Sequence, residues 1–389
     1  MTNAHRLGWN GILEAFHETK SRGPDMSELR IVEDQVFGFH RLAINGLDKR
    51  GDQPFSVVNG KNNRVSLIIN GEIYNHRELA KHYNLPNITG SDCEVFLHLY
   101  HKFGLANCIN LFDGVFAFVL VDGKDVYIGR DAIGVRPVYY RVRGEELAVS
   151  STPLGLEGFM EGFTPTKQVA RGSYIHFDGK HADKISWYHL PKPKKTDEHI
   201  KSKIKNTLIT SVKKRLLSQR PIGCLLSGGL DSSLIASILS KEMKKSDMKL
   251  KTFSIGFSPN ATDLIAARKV AGFLGTDHQE IVVSPQEAFE SINKVIKELG
   301  SYDITTVRAS VGMYLICQWI SKNTDIKVLF SGEGADELFC GYLYFHHAPS
   351  PEAIEKESIR LVNELQFFDV LRSDRTVSCH GLELRVPFL

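Results

Sequence analysis

Apolar residues along this chain follow two regimes, separated by a short polar break. Up to about residue 187, short runs rich in β-branched and aromatic side chains alternate with turn residues. Residues 36–39, 65–69, 115–121, 126–129 and 137–140 are predicted strands. Residues 94–103 differ, because Val95, Leu99 and Phe103 fall on one face at helical spacing. The expected first domain, residues 1–189, is an α+β sheet sandwich flanked by helices. Residues 190–199 hold two prolines and a run of charge, the mark of a linker. From residue 200 the pattern changes to alternation. A helix over 200–217 is followed by strands at 222–226, 250–255, 279–283 and 327–330. Helices after residue 231 and at 262–274, 285–299 and 309–321 separate them. Alternation of this kind predicts an α/β doubly wound parallel sheet over residues 200–389. Ligands of such sheets bind beyond the carboxyl ends of the strands.

Charge and cysteine content narrow the function. The 48 basic and 45 acidic residues leave +3, which argues against a broad nucleic-acid footprint. The six cysteines are scattered with no Cys-x-x-Cys, so neither a disulfide framework nor a zinc site is expected. No apolar run approaches the ~18 residues a membrane span needs, and Met1 to Trp9 is mostly polar, unlike a signal-peptide core. A cytoplasmic protein acting on small molecules is expected, with a homodimer as the assembly allowed for.

Two strand-end turns carry the candidate chemistry. In the first, an apolar run ends in Ser227-Gly228-Gly229-Leu230-Asp231-Ser232-Ser233. The glycines permit a sharp turn and a close backbone approach to a ligand. Asp231 or a neighbouring serine is expected to cap the helix that follows. Free N–H groups at that helix start suit an anionic phosphate. No Gly-Lys-Ser/Thr follows, so this is not the loop that holds a transferring γ-phosphate. In the second, Val328-Leu329-Phe330 leads into Ser331-Gly332-Glu333-Gly334-Ala335-Asp336-Glu337. Carboxylates there suit Mg²⁺ that in turn holds phosphates. Asp231 and Asp336 are the expected metal pair, and Glu333 the residue that meets an incoming amine or orients substrate. Between the turns, Thr305, Thr306 and Arg308 are candidates for stabilising charge on a phosphate or carboxylate.

The first turn resembles that of the ATP pyrophosphatases, which adenylate a substrate oxygen and release pyrophosphate. Residues 331–344 and 303–310 are more specific, and with them nearly the whole chain is similar to the glutamine-dependent asparagine synthetase family. The resemblance implies adenylation of the aspartate β-carboxylate by ATP, then displacement of AMP by ammonia. It also implies ATP contacts at Leu226, Ser227, Gly228, Gly229, Ser232, Ile255, Ser331 and Gly332. The first half resembles the family's glutaminase domain, of N-terminal-nucleophile hydrolase type. Arg22-Gly23-Pro24-Asp25 and Gly129-Arg130-Asp131 are shared. Arg41-Leu42-Ala43-Ile44-Asn45 lies where the family binds the glutamine carboxylate, a task suited to an arginine fork. Asn70-Gly71-Glu72 matches the segment with the oxyanion donors, and Asp92 the acid that holds the α-amino group.

Two places depart from the family. Its catalytic cysteine follows the initiator methionine, whereas Thr2-Asn3-Ala4-His5 stands here. Thr2 is a weak candidate for an N-terminal nucleophile. Residues 381–389 match a family segment that is followed elsewhere by a helical region supplying a lysine. From these departures ammonia is the expected nitrogen donor, with glutamine secondary. A catalytically impaired homologue, or another adenylating amide-former such as a β-lactam synthetase, is the alternative.

Overall fold

A computed structural model describes residues 8–58, 63–86, 88–160, 164–191 and 198–389. Thr2 and most of the expected linker lie outside the described residues. The chain divides into two compact units, Met1–His189 and Leu190–Leu389.

The first unit is built on a six-stranded antiparallel sheet. Its order is Ala182–Ser186, Ser173–Phe177, Asp125–Arg130, Gly114–Asp122, Arg64–Ile73, Phe55–Val58. Successive side chains of a strand point to opposite faces, and Gly114–Asp122 uses both. Phe116, Phe118 and Leu120 join Leu67 and Ile69 in a core closed by Phe96 and Leu99 of the helix Glu94–Phe103. Ala117 and Val121 face the other way, where Ile128, Phe177, Tyr140 and Leu147 form a second core. Tyr140 and Leu147 come from a three-stranded sheet of Glu146–Ser150, Tyr139–Arg143 and Lys167–Gln168. The sandwich expected from the alternation is therefore present. The pattern does not predict the helix Trp9–Glu18 or the sheet strands Phe55–Val58, Ser173–Phe177 and Ala182–Ser186; every residue of the last is exposed, so no apolar alternation marks it.

The second unit holds a five-stranded sheet, parallel throughout. Its order is Asp277–Val282, Lys251–Gly256, Ile222–Leu225, Val328–Phe330, Glu383–Arg385. The chain begins at the centre, steps outward on one side, then returns to build the other. The direction of winding therefore reverses between Ile222–Leu225 and Val328–Phe330, and a ligand crevice opens at such a reversal. Helices Leu230–Lys244, Thr262–Leu274, Pro285–Leu299 and Ile304–Asn323 connect these strands. Local chemistry sets their ends. Ser284 and Glu287 form a capping box that spans Pro285, and Gly300 ends that helix in the left-handed region. Ile304–Asn323 starts five residues before the expected 309, because the Asp303 carboxylate accepts from Thr306 N and fixes the first turn. The chain continues through helices Pro351–Glu364 and Asp369–Ser378 to the fifth strand. Among the described residues no helix is long and apolar enough to cross a membrane.

Candidate active site

The two turns leave neighbouring strands at the reversal point, and they touch. A Cβ built on Gly332 would lie 3.0 Å from Asp231 Cβ and 3.1 Å from Ser232 N. A side chain at Gly332 would crowd the first turn, so glycine suits this close approach. Both turns, with the start of Ile304–Asn323, line one cavity of about 950 Å³. From the first turn it takes Ser227, Gly229, Asp231 and Ser232. The second gives Ser331, Gly332, Glu333, Asp336 and Glu337, and the helix start gives Thr305 and Thr306.

The first turn is shaped differently from the expectation. Gly229, not Asp231 or a serine, is the N-cap of Leu230–Lys244, and no side chain caps the helix. Asp231 is thus left to face the cavity, while the Ser227 and Ser232 hydroxyls bond each other at 3.0 Å. Gly228 has φ +81, and a Cβ there would collide with the Ala266–Ala267 backbone. Its role is close packing against Thr262–Leu274 rather than room for a ligand.

Electrostatics within the cavity are dominated by carboxylates. Burial raises the carboxyl of Asp231 above its ordinary range, and the charge of Asp336 raises it further. Burial likewise raises Asp336, helped by Asp369. Glu333 is raised by burial, with Arg372 pulling in the opposite direction. Arg372 bridges two acids, donating to Glu333 Oε2 at 2.9 Å and to Asp369 Oδ1 at 2.8 Å. The Tyr342 hydroxyl donates to Glu337 Oε1.

Several predicted residues stand elsewhere. Leu226, Gly228, Ile255 and Arg308 do not line the cavity. Leu226 is buried, with its N–H on Phe253 O at 2.8 Å, and Arg308 is exposed on the outside of its helix. Thr306 is buried, and its hydroxyl donates to Asp303 Oδ1 at 2.7 Å, so it helps cap the helix. The arginines that do line the wall, Arg360 and Arg372, were missed. The only signal for Arg372 was an Asp369–Arg372 pair at i,i+3, a spacing common on solvated helix faces.

In the first unit the expected glutamine residues converge, although not all in the expected manner. Asp25 Oδ2 accepts from Ala43 N at 2.9 Å and so anchors the segment of Leu42, Ala43 and Ile44. Asn45 donates to Glu72 Oε2 at 2.7 Å. Asp92 Oδ2 accepts from Ile73 N at 2.7 Å, next to Asn70 and Gly71 in the same strand. Gly71 has φ +152, and a Cβ there would strike Val115 O. Arg41 departs from the expectation. Its guanidinium is buried and donates to Asp48 O and Asp52 Oδ1, both at 2.7 Å, and to Asn45 O and Gly46 O. The fork therefore holds the 45–52 loop in shape. Asp131 is also structural here, with its two oxygens accepting five backbone N–H groups.

Comparison with known proteins agrees with both halves. Residues 203–354 match the family model described as asparagine synthase, and residues 2–188 the one described as glutamine amidotransferase domain. The glutamine-hydrolysing asparagine synthetases of Bos taurus and Homo sapiens are each 45 % identical over 400 residues, covering 95 % of this chain and 70 % of the relative. Among solved structures, one titled as the allosteric regulatory enzyme of purine biosynthesis covers 72 % of this chain and 88 % of its own. Its identity is 11 % and its TM-score 0.43, too slight a likeness to bear on the site. Given the joined turns, the cavity between them and the extent of this identity, the chain belongs to the glutamine-hydrolysing asparagine synthetase family.

Proposed function

We propose that this chain makes asparagine from aspartate and ATP. The aspartate β-carboxylate attacks the α-phosphate of ATP, and pyrophosphate leaves. Nitrogen from ammonia or glutamine then displaces AMP from the acyl-adenylate. The observation that carries this reading is the contact between the two turns at the reversal point, which gives nucleotide and acids one shared cavity.

The substrate carboxylate is itself the nucleophile, so the protein's work is positioning and charge compensation. The turn Ser227 to Ser232 and the helix start behind it receive the phosphates. Leu226 and Ile255, beside the cavity, are assigned to the nucleotide on the family pattern. Ser331 and Gly332 are assigned to its phosphates from the second turn. Asp231 and Asp336 would hold Mg²⁺, which when bound offsets phosphate charge. The donor set fits that ion. Among the described residues no three acids, histidines or cysteines are grouped to hold a metal alone. Mg²⁺ commonly takes only one or two carboxylates and fills its remaining positions with phosphate oxygens and water. Arg372 fixes the orientation of Glu333, which we assign to the incoming amine. Thr305, in the cavity wall, is assigned to a carboxylate or phosphate. In the first unit Asn45, Asn70, Gly71, Glu72 and Asp92 form the glutamine pocket, which Arg41 supports from behind. A cytosolic location and a homodimer complete the proposal.

The test is pyrophosphate release from ATP, with aspartate plus either ammonium or glutamine. Release that requires aspartate is expected with at least one donor. No release with either donor would overturn the reading, and release without aspartate would point to a different acyl acceptor.

A further inference from the structure

After the short helix Ala335–Phe339 the chain reverses at Cys340, a non-glycine residue with φ +57. That reversal carries the next backbone unit back across the helix start, where Gly341 N donates to Asp336 O at 2.9 Å. Gly341 is then so close to the Asp336 side chain that a Cβ built on it would overlap Asp336 Oδ1. The remaining neighbours are looser, with Asp336 Cγ at 3.1 Å and Asp336 Cα at 3.3 Å. Gly341 does not need the left-handed region, since it is not among the residues of positive φ. Its tightest requirement is for space at one carboxylate oxygen.

We propose that Gly341 is a positioning residue for metal binding: its bare backbone fixes the rotamer in which Asp336 faces Asp231 across the cavity. The proposal rests on the assignment of Asp336 as a cation ligand. It goes further, by giving a residue outside the cavity wall control of the cation's affinity. The severe overlap introduced by a methyl group falls on the end of a rotatable side chain, and the backbone contact at Asp336 Cα asks only for a small adjustment. Gly341→Ala is therefore relieved by turning the Asp336 carboxylate away, and the fold survives. Gly332 on the other side presses against Asp231 Cβ and the Asp231–Ser232 backbone, so it sets the spacing of the two turns rather than the Asp231 rotamer.

The direct probe is Mn²⁺ binding, read by electron paramagnetic resonance on the full chain with a non-cleavable α,β-methylene ATP analogue. Three variants are compared: Gly341→Ala, Asp336→Asn, and Gly272→Ala as a control, since Gly272 has open space around its missing Cβ. Gly341→Ala is expected to weaken Mn²⁺ binding by about tenfold or more, the usual cost of losing a ligand's outer support. Its melting temperature should stay close to wild type, and Gly272→Ala should bind as wild type does. Weakening in Asp336→Asn but not in Gly341→Ala would overturn the positioning role alone. Unchanged binding in Asp336→Asn would overturn the cation assignment and this proposal with it. Loss of the fold in Gly341→Ala would also overturn it, because the glycine would then serve the backbone rather than the carboxylate.

Discussion

The polar clusters of the two units are built on opposite plans. In the first unit the charged groups are satisfied by the chain itself. Arg41 donates to four acceptors of its own loop, Asp25 holds Ala43 N, and Asn45 holds Glu72. In the second unit the acids crowd one another. Asp231 feels Asp336, Asp336 feels Asp369, and Glu333 feels both Asp369 and Glu337. Saturated networks are rigid before any ligand arrives. A crowd of carboxylates around a cavity is instead completed by positive charge. The lesson is that changes in the first cluster should be read mainly as lost stability, and those in the second mainly as lost chemistry.

The largest effect should come from the crowded acids. Asp231→Asn and Asp336→Asn are each expected to lower pyrophosphate release by about a hundredfold or more. Folding, followed by circular dichroism, should be nearly unchanged. Normal turnover in either variant would break the contrast. Arg372→Ala joins the two behaviours, because it leaves Glu333 and Asp369 in the cavity wall without their shared partner. A loss of about 3 kcal/mol in denaturant unfolding is expected, together with weakened aspartate saturation. Arg372→Lys should recover part of the stability but not the two-acid bridge.

Arg41→Ala sharpens the other side. Losing its loop contacts should cost about 2 kcal/mol and abolish glutamine binding in calorimetry. Ammonia-dependent pyrophosphate release should persist. The smallest effect is a pH slope from His380, whose imidazole burial pushes down to about 4, aided by Lys322. Its Nε2 is buried without a hydrogen-bond partner. The folded protein binds that proton less readily than the unfolded chain does, with its ordinary value near 6.5. The stability contribution is therefore whole above about pH 6.5 and is lost as pH falls toward about 4. The loss should reach roughly 1–2 kcal/mol by about pH 5. His380→Gln should flatten the slope without moving turnover at neutral pH.

Much of this was legible because the chain uses local chemistry where it needs regular elements. Pro285–Leu299 carries Ser284, Pro285, Glu287 and Gly300 as start and stop signals, and its bounds follow from them. The central strands Arg64–Ile73, Gly114–Asp122 and Asp125–Arg130 of the first sheet and the first four strands of the parallel sheet show as apolar runs, and the two glycine turns mark strand ends. Other parts were hidden for physical reasons. The fifth strand is Glu383-Leu384-Arg385, in which Arg385 is fully buried and donates to Glu383 at 2.8 Å and to Leu217 O at 2.6 Å. A charged strand of three residues has no apolar signature, and its partners lie far away in sequence. The helix Asp369–Ser378 buries Ser373, Asp374, Arg375 and Thr376, so hydropathy places its inner face outside. The arginine that clamps Glu333 comes from that helix. The loop-holding contacts of Arg41 are hidden because three of its four acceptors are backbone carbonyls, which no residue type reveals.

The turns near Ser227 and Ser331 should grip one nucleotide and one cation together. A crystal structure with an α,β-methylene ATP analogue and Mn²⁺, located by anomalous scattering, decides whether they do. The expected map places the phosphates over the turn from Gly229 to Ser232 and a single manganese peak between Asp231 and Asp336. Nucleotide bound away from that turn, or manganese that touches neither aspartate, would contradict the account.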